Sequence, residues 1–316
     1  MGISLVAGGA GFLGSHLCDA LLASGHEVVA LDNFITGSRE NLAHLGDHPR
    51  FTLIERDVTE PLDLQADAVF HLASPASPQD FATLPEAIMW VNVLGTRNLC
   101  DVAQANRAPF LFASTSEIYG EPLVHPQVET YHGNVNPIGP RACYDESKRF
   151  GEALVMSRRR THGLNARIVR IFNTFGPRMR LGDGRMSIEF IRRALGGQPL
   201  PIWGDGSKTR SLCYVSDLVA GIARAMFQPN TDGGVFNLGS PEEHSVAYYA
   251  KLIIELTGSP STIEYNPARP DDPSQRRPDI TRARTVLDWS PQISQREGLA
   301  KTIAWYRERH AFAATS

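Results

Sequence analysis

The chain has 316 residues, enough for two domains at ~150 residues each, or for one large α/β unit with an appended lobe. Apolar residues make up 42% and charged residues 21%, and 31 Lys+Arg against 34 Asp+Glu leave a formal charge of −3. That composition excludes disorder, collagen and coiled coil, and a charge so near zero supplies no chain-wide basic field for a nucleic-acid backbone or an anionic membrane.

In chain order, the segments 3–7, 27–32, 51–57, 68–73, 110–114 and 166–172 read as strands. Each is too continuously apolar for a one-faced antiparallel sheet, which predicts a parallel sheet covered on both faces. Between them, 12–24, 85–106 and 144–162 carry apolar residues at i, i+3, i+4 and i+7 and are predicted as crossover helices. The fold expected is α/β, a doubly wound parallel sheet (Rossmann) with a smaller C-terminal substrate-binding lobe. Its dinucleotide-binding part covers 1–176 and the lobe mainly 177–316, with the segment at about 211–240 able to return to the sheet. After residue 176 the pattern loosens into connections bearing Pro and Gly, such as 196–199 and 266–270. No CxxC pair marks a zinc site among the four cysteines, no basic leader precedes the first apolar run, and no stretch nears the ~20 apolar residues of a membrane span. The expectation is a cytoplasmic protein with no metal, nucleic-acid or membrane partner.

Gly8, Gly11 and Gly14 form a GxxGxxG turn between the first strand and the first helix, the context in which this spacing lets backbone amides approach a pyrophosphate. Asp32 ends the second strand, where an acid accepts hydrogen bonds from a ribose 2′-OH and repels a 2′-phosphate. NAD is therefore favoured over NADP, and no arginine follows before Arg39. Asp57 can reach an adenine amino group or simply cap a turn. His71, inside an apolar strand, reads as a core histidine. Tyr144 and Lys148, at i and i+4, share one helix face, and a lysine ammonium beside a phenol is expected to lower its pKa and make it a base for a sugar hydroxyl. Thr115, Ser116 and Glu117 lie where a strand runs out at the carboxyl edge of the sheet, so that Thr115 can hold the reacting hydroxyl while Ser116 and Glu117 reach the next carbon.

Together these residues resemble an extended short-chain dehydrogenase/reductase acting on a nucleotide sugar. The strings LASPASP at 72–78, ASTSEIYG at 113–120, NPIGPRACY at 136–144 and RIFNTFGPR at 170–178 are similar to the UDP-glucuronate decarboxylases, or UDP-xylose synthases. The resemblance implies a redox-neutral cycle in which Tyr144 removes the C4 proton, a 4-keto sugar loses CO₂ from C5, and the hydride returns to C4. Thr115, Ser116, Glu117, Tyr144, Lys148 and Arg210 would be catalytic. Gly8, Gly11, Phe12, Leu13, Gly14, Asp32, Asn33, Phe34, Thr36, Gly37, Asp57, Val58, Leu72 and Ser74 would hold NAD together with Tyr144 and Lys148. Asn173, Arg185, Arg210 and Arg276 would bind the UDP-sugar, Arg276 within DDPSQRRPDI at 271–280. Glu117 would either raise the energy of a carboxylate leaving as CO₂ or carry a proton to C5. Arg192, Arg193 and 158–160 are read as solvated helix faces. A homodimer is implied, through a bundle formed by 85–106 and 144–155. The chain departs from the decarboxylase pattern at Trp90, where those enzymes carry a lysine near the sugar. C4 epimerases and 4,6-dehydratases share the first oxidation, but the dehydratases place Asp-Glu where this chain has Ser116-Glu117. A non-catalytic NAD or nucleotide-sugar binding protein is the remaining alternative.

Overall fold

The computed structural model describes residues 2–268 and 273–310; Arg269, Pro270, Asp271 and Asp272 of the predicted connection and motif lie outside them. The chain alternates β1 (Ile3–Ala7), α1 (Phe12–Ala23), β2 (Glu27–Asp32), β3 (Phe51–Glu55) and β4 (Ala68–His71). After α2 (Pro78–Thr83) come α3 (Pro85–Trp90), a π turn (Val91–Gly95) and α4 (Thr96–Ala105), then β5 (Phe110–Thr115), α5 (Ala142–His162), β6 (Ala166–Ile171) and β7 (Thr174–Phe175). There follow α6 (Met186–Leu195), β8 (Leu200–Trp203), β9 (Thr209–Arg210), β10 (Cys213–Tyr214), α7 (Val215–Phe227) and β11 (Val235–Leu238). The last elements are β12 (His244–Ser245), α8 (Val246–Thr257), β13 (Ile263–Asn266), α9 (Thr281–Leu287) and α10 (Gln295–Arg309).

Seven strands form one sheet in the order β11-β6-β5-β4-β1-β2-β3, parallel throughout. Alternate residues of one strand feed two different cores, the reason its sequence is apolar without alternation. Val6, Leu111 and Val169 pack with Leu17, Leu21, Leu218 and Ile222 of α1 and α7, whereas Leu5, Phe112 and Ile168 pack with Leu99, Ala103 and Val155 of α4 and α5. A third core, with Ile191, Leu200, Ile253 and Ile303, belongs to α6, β8, α8 and α10.

Three predicted strands end early, at Glu55, His71 and Ile171, because the residues beyond them leave the ladder at the carboxyl edge of the sheet. The predicted helix over 85–106 is two helices joined by the π turn, inside which Gly95 passes so close to Val58 that a Cβ would lie 2.7 Å from Val58 Cγ2. Strand order reverses between β1 and β4, the switch point at which such sheets open a ligand crevice.

Candidate active site

A cavity of about 1080 Å³ runs from that crevice into the C-terminal lobe, and a smaller one of about 290 Å³ adjoins its outer end. Gly8 begins the glycine turn at φ +80°, a backbone conformation that favours glycine. At Gly14 a Cβ would lie 2.0 Å from the Gly8 carbonyl oxygen, so the third glycine lets α1 close on the turn. Gly11 caps α1 without a side-chain hydrogen bond, and Gly11, Phe12, Leu13 and Gly14 border the cavity. The helix thus turns its unpaired first amides toward that space.

Asp32 accepts the Ala10 amide at 2.9 Å and the Phe34 amide at 2.8 Å. Burial pushes its pKa up and these backbone bonds pull against it. Gly37 approaches so closely that a Cβ there would lie 2.8 Å from Asp32 Oδ1. Asn33, Thr36, Gly37, Asp57, Val58, Leu72 and Ser74 line the smaller cavity beside Asp32. Phe34 does not: at φ +59° it turns away, its ring lies under the Arg39 guanidinium and only its amide serves Asp32. Arg39 also pairs with Glu55, so that cation is committed away from Asp32. Asp57 binds the Thr59 amide and hydroxyl and accepts from Asn33 Nδ2; although burial raises its pKa, these bonds hold it below the usual value. It caps its turn and borders the cavity at once. His71 is fully buried, 3.1 Å from Thr96 Oγ1, and burial holds its pKa well below the ordinary range, as a core histidine requires.

Trp90, expected from the resemblance at a sugar-facing position, instead borders the smaller cavity with Arg56 and Asp57, and is 53% exposed.

At that inner end β5 delivers Thr115, whose hydroxyl also caps the following turn through the Glu117 amide at 3.2 Å. Tyr144 stacks on Phe81, with ring centroids 5.0 Å apart, and its phenol is hydrogen-bonded to Thr115. Lys148 Nζ donates to the Ala113 carbonyl at 2.9 Å and lies 5.9 Å from the Tyr144 ring centroid. The expected depression of the phenol is absent. Burial pushes Tyr144 up to about 12, Thr115 opposes the shift, and Glu117 adds to it. Lys148 is itself lowered to about 7 by burial, with Glu152 opposing.

Glu117 is clamped. Arg276 donates Nη1 to Oε1 at 2.6 Å and Nη2 to Oε2 at 2.9 Å, and Arg141 donates Nη2 to Oε2 at 2.5 Å. Burial raises the Glu117 pKa, but the two guanidiniums outweigh it and hold the group ionised. Arg276, expected at a diphosphate, is engaged by this carboxylate and lies 3.4 Å from Asn173 Oδ1. Ser116, Asn173, Arg185 and Arg210 border the same cavity.

The sequence reading missed Arg141, and also Arg180, which pairs with Asp80 at 2.5 Å and so ties α2 to the segment before α6. Arg192 and Arg193, read as solvated, border the cavity while paired with Glu189; the i, i+3 and i, i+4 spacing from Glu189 was a signal for this.

A glycine turn opening α1, an acid ending β2 and a Thr–Tyr–Lys set at the carboxyl edge of a parallel sheet define a dinucleotide-dependent enzyme of the short-chain dehydrogenase/reductase type. Residues 4–239 match the NAD dependent epimerase/dehydratase family, and the chain belongs to it. It is 49% identical to UDP-glucuronic acid decarboxylase 1 of Arabidopsis thaliana over 305 residues, 96% of this chain and 70% of that one. The Xenopus tropicalis UDP-glucuronic acid decarboxylase 1 is 48% identical over 304 residues, 96% of this chain and 72% of that one. Among solved structures, the UDP-glucuronic acid 4-epimerase of Bacillus cereus in complex with UDP-glucuronic acid and NAD superposes with a TM-score of 0.89 at 30% identity, covering 98% of this chain and all of that one. NAD is the cofactor, and the residues present fit it: the Gly8–Gly14 cradle closes without room for a Cβ, and Asp32 is anchored by backbone amides while Arg39 pairs with Glu55.

Proposed function

We propose that this chain decarboxylates UDP-glucuronate to UDP-xylose. The observation that carries the reading is the Glu117 carboxylate, held by Arg141 and Arg276 two residues beyond Thr115, in a chain about half identical to decarboxylases along nearly its whole length. NAD⁺, which the Gly8–Gly14 cradle and Asp32 would hold, would supply hydride-acceptor and hydride-donor chemistry at C4 and a positive charge that lowers the pKa of a nearby phenol.

Tyr144 Oη takes the C4 hydroxyl proton while the Thr115 hydroxyl steadies the same oxygen. In the resulting 4-keto sugar the C5–carboxylate bond lies β to a carbonyl. As that bond breaks, its electron pair moves into an enolate whose oxygen is stabilised by the Tyr144 and Thr115 hydroxyls, and CO₂ leaves. C5 then takes a proton from solvent water, and Tyr144 gives its proton back to the C4 oxygen. Glu117, kept ionised by two arginines, is poorly suited to carrying a proton. Its fixed charge instead raises the energy of a carboxylate that departs as neutral CO₂. Ser116 sits between these groups on the turn, Lys148 would hold the cofactor's ribose, and the lobe's Asn173, Arg185 and Arg210 would hold the diphosphate and sugar.

Purified protein incubated with UDP-glucuronate and NAD⁺ is expected to release a product lighter by one CO₂, by mass spectrometry, with no build-up of NADH. A product of unchanged mass and altered mobility would instead assign 4-epimerisation.

We also propose a homodimer. Met89 of α3 and Phe150 of α5 are 46% and 48% exposed on two helices that pack against each other, an apolar pair suited to a second copy's matching helices. Phe150→Glu is expected to shift the sedimenting species from dimer to monomer, and a wild-type monomer would sink this reading. The four unpaired cysteines support a reducing, cytoplasmic setting. No helix among the described residues is long and apolar enough to cross a membrane.

A further inference from the structure

Between β4 and α3, the short helix α2 borders the main cavity, and Asp80 and Phe81 are its only buried residues. Phe81 belongs to a small apolar group with Ile88 and Tyr144, apart from the three larger cores, and its ring stacks on that of Tyr144. Apolar packing thus holds α2 lightly. Asp80 supplies a different fastening. Its Oδ2 accepts the Ser77 amide at 3.3 Å, its own amide donates to Ser77 Oγ at 3.3 Å, and its Oδ1 accepts from Arg180 Nη2 at 2.5 Å. The same Nη2 donates to Ser77 Oγ at 3.3 Å.

Arg180 comes from the other side. It follows Met179, which is buried in the third core and whose carbonyl accepts the Tyr306 hydroxyl, so the group that grips α2 projects from a firmly packed part of the C-terminal lobe. Met179, Arg180 and Asp183 border the same cavity as Asp80 and Phe81. The bridge therefore joins two walls of that cavity whose residues lie 100 positions apart in the chain. Asp80 is 4% exposed, whereas the Arg180 side chain is 40% exposed. A charge-assisted bond to an enclosed carboxylate is stronger than one between two exposed groups, yet with one partner in water it can open and close.

The reaction proposed above oxidises a sugar and must reduce the same molecule before releasing it. Once C4 has given up a hydride and its hydroxyl a proton, and CO₂ has left, the sugar is a ketopentose. If it departs at that stage, two electrons stay behind as NADH and the next turnover cannot begin. We propose that Asp80 and Arg180 are positioning residues for this interval: their bridge fastens α2 to the lobe across the cavity and keeps the oxidised sugar beside Tyr144 until it is reduced. The inference rests on the reading that one sugar is oxidised and reduced in one site. Both residues act through the wall they close and through Phe81, and neither has to touch the substrate.

Arg180→Ala provides the test. With UDP-glucuronate and NAD⁺, wild type is expected to hold NADH at background. The variant should accumulate NADH, and mass spectrometry should find in solution a UDP-4-ketopentose lighter than UDP-xylose by one H₂. A second readout needs no turnover. Radiolabelled UDP on the NAD-loaded protein, chased with unlabelled UDP, should leave the variant about fivefold faster, with its equilibrium affinity within about twofold of wild type. Asp80→Asn keeps an acceptor for the Ser77 amide and loses the charge, so it should leak less than Arg180→Ala. The double variant should leak no more than Arg180→Ala, because the two residues form one bridge. Should Arg180→Ala not fold, Arg180→Lys and Asp80→Asn carry the same comparison. NADH build-up and UDP release unchanged from wild type would overturn the inference, as would a double variant that leaks in proportion to both single changes. A loss of UDP affinity of about tenfold would also overturn it, by making Arg180 a ligand of the nucleotide. If wild type yielded an isomer without releasing CO₂, the decarboxylation reading would fail and the leaked keto sugar would still decide the role of the bridge. If wild type left UDP-glucuronate untouched, the UDP release rates would decide it.

Discussion

Tyr144→Phe is expected to lower kcat by about a thousandfold while leaving KM for UDP-glucuronate within about threefold of wild type. The substitution deletes the one atom that receives the C4 proton and keeps the ring that stacks on Phe81. Only the hydrogen bond to Thr115 is lost from the fold, and the phenol's own burial cost goes with it, so the Tm should move by no more than a few degrees. The same burial has a kinetic consequence. Burial pushes the phenol up in the free protein and the cofactor's positive charge would pull it back, so the rate of C4 oxidation should climb with pH up to the phenol's pKa in the loaded enzyme and be flat in the variant. Single-turnover formation of NADH, followed by absorbance, measures this directly. A variant retaining a tenth or more of the wild-type rate would move the base role to another group.

Glu117→Gln should damage both chemistry and fold. Wild-type Glu117 receives three charge-assisted bonds from two arginines in a mostly buried cluster, and an amide cannot balance those cations. Breaking a buried ion pair from one side typically costs about 3–5 kcal/mol, which for a chain of this size corresponds to a Tm drop of roughly 5–10 °C. Decarboxylation is expected to slow by about 10²–10³-fold in kcat, since the fixed carboxylate no longer opposes the substrate's own. The direction with pH follows from the held-down pKa of Glu117. Its contribution is present above the ordinary glutamate pKa and is lost as pH falls through the folded value, so acid should unfold wild type more steeply than the Gln variant. Melting curves from neutral pH down into acid check this, and parallel curves would contradict it.

Local spacing made part of this site readable. The glycine turn, Asp32 and the Tyr144–Lys148 pair are each set by a few consecutive residues, and a fully covered parallel sheet writes continuous apolar strands such as Phe110–Thr115 into the chain. Quantities that depend on three-dimensional enclosure were not readable in this way. The phenol's shift reverses sign because Tyr144 is buried next to Glu117 while the lysine turns to Ala113 O, and no spacing encodes that. Phe34 sits among cofactor-lining neighbours yet turns out under Arg39, because a left-handed residue reverses the direction a strand-end pattern implies. A resemblance between strings gives position without direction, so it did not show that Trp90 borders the outer cavity. The clamp on Glu117 joins residues 24 and 159 positions apart, beyond any local pattern.

That last separation also orders events as the chain is made. The glycine cradle is made before the Tyr144–Lys148 pair, whereas Arg276 follows Lys148 by about 130 residues, and β11, which completes the sheet beside β6, precedes Arg276 by only about 40. Domains tend to fold from the N-terminus as the chain emerges. A nascent chain can therefore form its nucleotide cradle long before the residue that clamps Glu117 exists, and the segment around Arg276 must then dock across the molecule, its backbone pairing with Gln127, before the site is whole. The groups that cradle the cofactor and take the C4 proton are thus made before the residue that clamps Glu117.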